Sequence, residues 1–508
     1  MPNNVAVIDL FAGPGGLAEG FSAFEDKRGH RPFNIVISVE KDASAHRTLE
    51  LRSFYRSFGD SVPNAYYEYL RGDIDRESLF ERFPLNAEIA HAETLYGPRE
   101  LGKHDDDKEI TRAIRQNLRT TKDETVVIGG PPCQAYSVAG RVRSNGISGY
   151  RPEKDHRHFL YKEYLRVLAM ASPSIFVMEN VKGILSSQVN GIHIFPRILA
   201  DLSDPGKALR KESVARYKIY SLVERQKYSD EVVDSDYVIL SENYGIPQTR
   251  HRVILLGVRE DVKRIPSPLR PIDQQLQVVD AIGDLPKIRS GLSREEDIAD
   301  VWREYLRDYS RSVSRELRAL GLSGDIAQKA YKGASRLTST GAMFIATDQK
   351  RMKNAMFNRW FVDRRIGGYI NHESRLHMPS DLQRYLFCTC FAKQNGGISP
   401  RAHEIPRIFA PKHKNWNSGN FVDRFKVQSA NRPASTITSH IAKDGHYFIH
   451  YSPSQCRALT VREAARLQTF PDNYFFEGNR TEQFTQVGNA VPPLLARQIA
   501  EVVWNLLL

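Results

Sequence analysis

Four short apolar runs, each ending at an acid or a glycine-rich turn and separated by helix-like sequence, constrain the fold more than any other feature of these 508 residues. Val5-Ala-Val-Ile8 ends at Asp9, and Ile35-Val-Ile-Ser-Val39 ends at Glu40. Thr125-Val-Val-Ile128 ends at Gly129-Gly130, and Ile175-Phe-Val-Met178 at Glu179-Asn180. A strand that is apolar on both sides has both faces covered, and helices between such strands supply that cover in βαβ units. The pattern predicts an α/β fold with a mostly parallel, doubly wound, Rossmann-like sheet and a ligand crevice at the carboxyl ends of its strands. Leu17 to Phe24 reads as the helix after the first strand, and Val238 to Leu240 with Arg252 to Val258 as a later hairpin-like pair.

The length allows two or three domains. Pro266-Ser-Pro268 and Pro271 mark a linker. Ile298, Val301, Trp302, Tyr305, Leu306 and Tyr309 then recur at helical spacing, which predicts one amphipathic helix over 293–320 with Trp302 and Tyr305 in a core. The expected layout is a first domain over 1–262, a smaller mixed domain over 263–430, and a return to the first domain over 431–508, where Pro492 to Leu507 is again helical. Residues 88–123 read as an insertion, in which His104-Asp-Asp-Asp-Lys108 is a solvated acidic loop.

Net charge is +12, and Gly341 to Arg432 alone holds 16 Lys/Arg against 6 Asp/Glu. Phe357, Trp360, Phe361, Tyr369, Asn371, His372, Gln394, Asn395 and Trp416 are interleaved with those cations. Cations neutralise phosphates while amides and aromatic rings read or stack on bases, so the stretch points to nucleic acid. Four cysteines (Cys133, Cys388, Cys390, Cys456) are too few for a disulfide scaffold, and Cys388-Thr-Cys390 has no second pair for a zinc site. No apolar run approaches a membrane span, and residues 1–20 lack the basic and apolar regions of a signal peptide. No membrane association is expected, and the cytoplasm is the expected compartment.

Two turns carry chemistry. Gly13-Pro-Gly-Gly16 follows the first strand, and Glu40 ends the second, 24 residues after Gly16. Glycines permit close backbone approach, and such an acid accepts hydrogen bonds from ribose hydroxyls. The dinucleotide pattern G-x-G-x-x-G fails at Ala18, so an adenosyl group without a pyrophosphate fits better, and S-adenosylmethionine leads. Pro131-Pro-Cys-Gln134 follows the third strand, where a cysteine thiolate can act as a nucleophile. Glu179, closing an apolar strand, is a carboxylate that is costly to bury without a partner or a task.

In this order the pieces resemble the DNA cytosine-5 methyltransferase family, in its bacterial restriction–modification type. The resemblance rests on Asp9-Leu-Phe-Ala-Gly-Pro-Gly-Gly16, Gly72-Asp-Ile74, Gly130-Pro-Pro-Cys-Gln134, Met178-Glu-Asn-Val181, Gln248-Thr-Arg-His-Arg252, Arg432-Pro-Ala-Ser-Thr-Ile-Thr438 and Gly488-Asn-Ala-Val491. It implies Cys133 as the nucleophile on cytosine C6, Glu179 at N3, Arg252 near O2 and Arg250 in support. For S-adenosyl-L-methionine it implies Phe11, Gly13, Gly16, Glu40, Asp73, Ile74, Gly130, Pro132, Leu160, Asn489 and Val491, with Asp73 on the adenine amino group. Lys41 stands where many members carry an aromatic residue that stacks on adenine.

The target base must leave the duplex for such chemistry. The region between Arg252 and Arg432 is then a target-recognition domain for double-stranded DNA. A cognate restriction endonuclease at the same site is an implied partner, and monomeric action is expected. A tRNA cytosine-5 methyltransferase is the nearest alternative, and the long basic segment argues against it. A DNA-binding relative without catalysis is another, and the joint presence of Cys133, Glu179 and Arg252 argues against that.

Overall fold

The structure, a computed structural model, describes residues 4–120, 124–132, 160–189, 191–211, 215–224, 233–411, 416 and 423–508. Cys133 and the remainder of 133–159 lie outside the described residues.

A seven-stranded sheet is built from β1 (Val5–Leu10), β2 (Phe33–Val39), β3 (Glu124–Gly129), β4 (Ile175–Val181), β5 (Tyr217–Tyr220), β6 (Val238–Leu240) and β7 (His251–Arg259). Its order is β2-β1-β3-β4-β7-β5, with β6 also paired to β7. The first four strands are parallel, while β7 runs antiparallel to β4, β5 and β6. The expected parallel sheet is thus one half of a mixed one, and the hairpin-like pair forms as expected. Side chains alternate between two cores. Val5, Val7, Val126, Ile128, Val177 and Ile254 face one, and Ile8, Leu10, Val127, Phe176, Met178 and Val253 the other. Period-2 alternation of apolar residues on both faces is what calls for two helical layers.

Those layers come from α1 (Gly16–Ser22), α2 (Ala43–Arg56), α3 (Asn64–Arg71), α4 (Arg76–Arg82), α5 (Pro84–Glu93), α6 (His104–Thr120) and α7 (Leu160–Ala171). The expectation of an insertion at 88–123 is corrected here. Parallel neighbours need a crossover, and α6 supplies it between β2 and β3 by burying Ile110 and Ile114 under the sheet. Asp105, Asp106 and Asp107 fill its first turn, where negative charge meets the positive end of the helix dipole, so this acidic run starts a helix instead of forming a loop. Asp107 also lies 2.7 Å from Arg166 of α7. The additional material is α3 to α5, which packs with α2 as a separate apolar cluster around Phe54, Tyr66 and Leu79.

Further along are α8 (Ala299–Ala319), α9 (Asp325–Ala334) and α10 (Pro379–Gln394). They build a core of their own from Trp302, Leu306, Val313, Leu386 and Phe387. The helix expected over 293–320 starts only at Ala299, because Asp297 turns back to bond Arg289 and the Leu292 amide. Trp302 is fully buried, its indole donating to Ser290, whereas Tyr305 lies at the edge with its hydroxyl on Glu295. Residues 278–285 and 352–369 belong instead to the core of the large sheet, through Val278, Ile282, Met352, Phe357, Phe361 and Tyr369. Phe357, Phe361, Tyr369, Asn371 and His372 are therefore interior residues, not surface groups offered to bases.

The chain closes with α11 (Val461–Leu467), α12 (Arg480–Asn489) and α13 (Pro493–Leu507). α13 packs along α1, where a Cβ at Gly20 would stand 2.4 Å from Ala496. α11 is held by buried ions. Arg457 donates twice to Glu463 at 2.7 Å, and Arg466 bonds both Asp472, at 2.8 and 2.7 Å, and Asp284, at 2.6 Å. Burial pushes the Glu463 carboxyl up, but the Arg457 guanidinium outweighs it and holds the group below the usual carboxylate range. Removing one partner of such a pair strands a buried charge. Arg457→Met is expected to lower the unfolding free energy by about 3–5 kcal/mol in urea denaturation, and Arg457→Met with Glu463→Met to recover most of it. A single-variant loss below about 1 kcal/mol would contradict this account.

Candidate active site

The chain leaves β1 toward β2 on one side and returns to β3 on the other, so the gap between the ends of β1 and β3 is a topological switch point. Both chemically marked turns open there. Leu10 is in register with Gly129, and a Cβ on Gly129 would stand 2.4 Å from the Leu10 carbonyl oxygen. The first turn uses positive φ at Phe11 (55°), Gly13 (57°) and Gly15 (92°). Glycine takes that conformation freely, whereas Phe11 is strained in it. The Pro14 carbonyl accepts a hydrogen bond from the buried Tyr474 hydroxyl. Gly16 has no room for a side chain, since a Cβ would lie 2.1 Å from the Val491 carbonyl oxygen. Val491 is buried beside it, and Asn489 is exposed at the end of α12.

Glu40 faces this turn. Its Oε2 accepts from the Gly13 amide at 2.8 Å, and Oε1 accepts from the amides of Lys41 at 2.8 Å and Asp42 at 2.7 Å. Burial nevertheless raises its carboxyl above the ordinary value. One lone pair on Oε2 is left for an outside donor such as a ribose hydroxyl. Asp9, one strand end away, has both carboxyl oxygens buried without a hydrogen bond, and burial raises its pKa well above the usual range. A glycine cradle, a carboxylate with one acceptor position left and an orphaned buried acid fit an adenosyl cofactor of modest size.

The second turn lies against β4. A Cβ on Gly130 would stand 2.9 Å from Glu179 Oε2, so only glycine allows the carboxylate to sit there. Asn180 Nδ2 donates to the Pro131 carbonyl at 3.3 Å. Pro132 is the last described residue before Cys133, and Leu160 is buried at the start of α7. Ile254 is the register partner of Glu179, which places Arg252 two residues along on the same face. Arg252 Nε is 2.8 Å from Glu179 Oε1 but poorly aligned for a hydrogen bond, so the contact is chiefly Coulombic. Burial lowers the Arg252 pKa despite that partner.

Arg250 turns the other way. It is almost fully buried, and its Nη1 donates to the carbonyls of Ile437 at 2.7 Å and Gly488 at 3.2 Å. Gln248 joins the same knot, accepting from the Ile437 amide at 2.6 Å and donating to the Leu467 carbonyl at 3.1 Å and to Gln468 at 3.0 Å. Arg250 is thus a positioning residue that ties three chain segments together behind Arg252.

Asp73 and Ile74 are not brought to this crevice. Asp73 is exposed at the end of α3 with its carboxylate on Arg71 at 2.8 Å, and Ile74 packs into the cluster of α2 to α5. Sequence reasoning missed Arg457, Arg462 and Arg466, whose signal was three arginines spaced five and four apart in an otherwise apolar stretch. Two clefts among the described residues, of about 1740 and 830 Å³, include neither Gly13 nor Glu179, so the chemistry is located by the strand ends.

A sequence model of the family described as C-5 cytosine-specific DNA methylase matches residues 96–505. The chain belongs to that family. This DNA (cytosine-5-)-methyltransferase is 32% identical to the Type II methyltransferase M.Bpa9945I of Bacillus paralicheniformis across 98% of each chain. It is 25% identical to the Type II methyltransferase M.DdeI of Desulfomicrobium norvegicum, over 97% of this chain and 87% of that one. A crystal structure of a DNA modification methyltransferase encoded within an E. coli prophage shares the fold, with TM-score 0.50, 19% identity and 99% of each chain covered. Enzymes of the methylase family take their methyl group from S-adenosylmethionine. No helix among the described residues is long and apolar enough to cross a membrane.

The different settings of the two arginines separate their roles in this methylase. Arg250→Met should lower stability by roughly 2–4 kcal/mol, because it removes a buried cation bound to two carbonyls. Arg252→Met should lower turnover at least about 100-fold. Thermal unfolding and methyl-transfer rates on the same preparations check this, and a fully active Arg252→Met enzyme would contradict it.

Proposed function

We propose that this methylase is sequence-specific and acts on C5 of a cytosine flipped out of duplex DNA, with Cys133 as its covalent nucleophile. One observation carries the reading: Glu179, Arg252 and the Gly130-Pro131-Pro132 turn converge at the ends of β3 and β4, beside the cofactor-type turn after β1. Cys133 follows Pro132 directly in the chain.

C5 of cytosine is a weak nucleophile. Attack of the Cys133 thiolate on C6 forms a C–S bond and moves the ring's π electrons to C5. Glu179 donates a proton to N3, which neutralises the negative charge the thiolate brings to the ring, and takes it back when the adduct collapses, while Arg252 braces Glu179 and offers donors to O2. When bound, S-adenosylmethionine supplies an electrophilic sulfonium methyl group. After C5 is alkylated, loss of its proton to a base restores the C5–C6 double bond and expels the Cys133 thiolate. Phe11, Gly13, Gly16, Glu40, Gly130, Pro132, Asn489 and Val491 are the residues at the crevice that would hold the cofactor, Glu40 through the ribose.

Residues 263–430 contain the proposed target-recognition region, which returns to the catalytic unit at 431–508. Lys350, Arg351, Lys353, Arg359 and Arg364 are exposed there and available to phosphates. Arg384 and Arg375 are instead committed, to Asp381 and to the backbone carbonyls of Ala442 and Lys443. Its relatives named as Type II methyltransferases support a role in protecting host DNA beside a cognate endonuclease, and we propose that it acts as a monomer in the cytoplasm.

The test is transfer of labelled methyl from S-adenosylmethionine to mixed-sequence duplex DNA, with tRNA in parallel. Label in DNA 5-methylcytosine is expected, and Cys133→Ser should abolish it while leaving cofactor affinity within about twofold. Label confined to tRNA, or an active Cys133→Ser enzyme, would overturn the reading.

A further inference from the structure

The adenine end of the cofactor site needs an acceptor for an exocyclic amino group, and Asp73 is not at the crevice. Another segment is. Leu95 and Leu101 are both buried in the core beneath β2 together with Val39, and the chain between them arches over the end of that strand. The arch uses positive φ at Leu95 (60°), Tyr96 (54°) and Gly97 (152°). The Arg99 amide donates to the Glu40 carbonyl at 2.8 Å, which fixes the arch against the acid of the cradle. The Glu100 amide donates to Asp106 Oδ2 at 3.0 Å, and the Gly102 amide to Asp107 Oδ1 at 3.0 Å. Backbone positions 99, 100 and 102 are therefore all held.

The Glu100 side chain points to Lys41, with Oε1 2.8 Å from the ammonium. Lys41 is the residue after Glu40, so the pair stands at the rim of the cradle. Glu100 Oε2 has no hydrogen-bond partner among the described residues. Glu40 is thus flanked on one side by the glycine turn, through Gly13, and on the other by Arg99 and Glu100. A ribose held on Glu40 with its 5′ carbon toward the turn and Glu179 would leave the Glu100 side for the base.

Given the S-adenosylmethionine reading above, we propose that Glu100, oriented by Lys41, accepts the adenine amino group, and that Asp73 has no part in cofactor binding. An ionised acceptor facing a purine discriminates by its sign. It welcomes the amino group of adenine and repels the carbonyl oxygen that hypoxanthine presents at the same position.

Titration calorimetry of the full chain with S-adenosylhomocysteine and with S-inosylhomocysteine tests this without turnover. The parent protein should prefer the adenosyl compound by roughly 10- to 100-fold, the range expected for one hydrogen bond to a charged group. Glu100→Gln should narrow that ratio at least about 10-fold, since an amide can donate to the carbonyl of hypoxanthine. Asp73→Asn should leave the ratio unchanged. Both side chains are largely exposed, so both variants should keep the parent melting transition. An unchanged ratio in Glu100→Gln, or a collapsed ratio in Asp73→Asn, would overturn the assignment while leaving the cofactor reading intact. A parent protein that bound neither compound would instead overturn the cofactor reading itself.

Discussion

The Arg250 guanidinium holds this structure in working order. It sits in a dry interior and donates to two backbone carbonyls, one 187 and the other 238 positions away in sequence. Gln248 adds a second clasp to the same segments, and Gln468 continues it to the Val487 carbonyl at 2.7 Å. A cation buried without a carboxylate must be answered by carbonyl dipoles, so the segments around Ile437 and Gly488 cannot drift from Arg250 without exposing it to a low-dielectric void. This constraint brings the chain back after the long excursion through residues 260–430. It also sets β7, and with β7 Arg252, at the face of Glu179.

The crevice then follows from packing. Gly16 against Val491, Gly129 against Leu10 and Gly130 against Glu179 are three places where a methyl group would collide with its neighbour. Each glycine lets one marked turn approach another, and together they draw the ends of β1, β3, β4 and the segment after α12 into one site. Close backbone approach is the physical content of those glycines; the charge that does chemistry comes from Glu40, Glu179 and Arg252.

Much of this was legible before any coordinates. Strands apolar on both faces announce themselves by composition, and Glu179 at the end of such a strand is conspicuous because burial of a carboxylate demands a reason. What misled was local appearance. The run Asp105 to Asp107 looked like a loop because three acids hide the helix signal carried by Ile110 and Ile114, three and seven residues after Asp107. The aromatics of the basic stretch looked like base-stacking groups, yet Phe357, Phe361 and Tyr369 complete the core of the large sheet, a long-range fact that spacing does not record. Asp73 was placed by motif alone. Helix α3 carries it away from Glu40, and the arch at residues 95–101 packs against Glu40 without any sequence pattern that points to it.

The central claim is that Cys133 bonds covalently to cytosine C6. Duplex DNA carrying 5-fluorocytosine tests it most directly, because fluorine cannot leave C5 as a cation and the final elimination stalls. With S-adenosylmethionine present, the account predicts a protein–DNA species that survives denaturing electrophoresis and whose linked peptide contains Cys133. Absence of that species from an enzyme that methylates ordinary duplex DNA, or linkage through another residue, would contradict it.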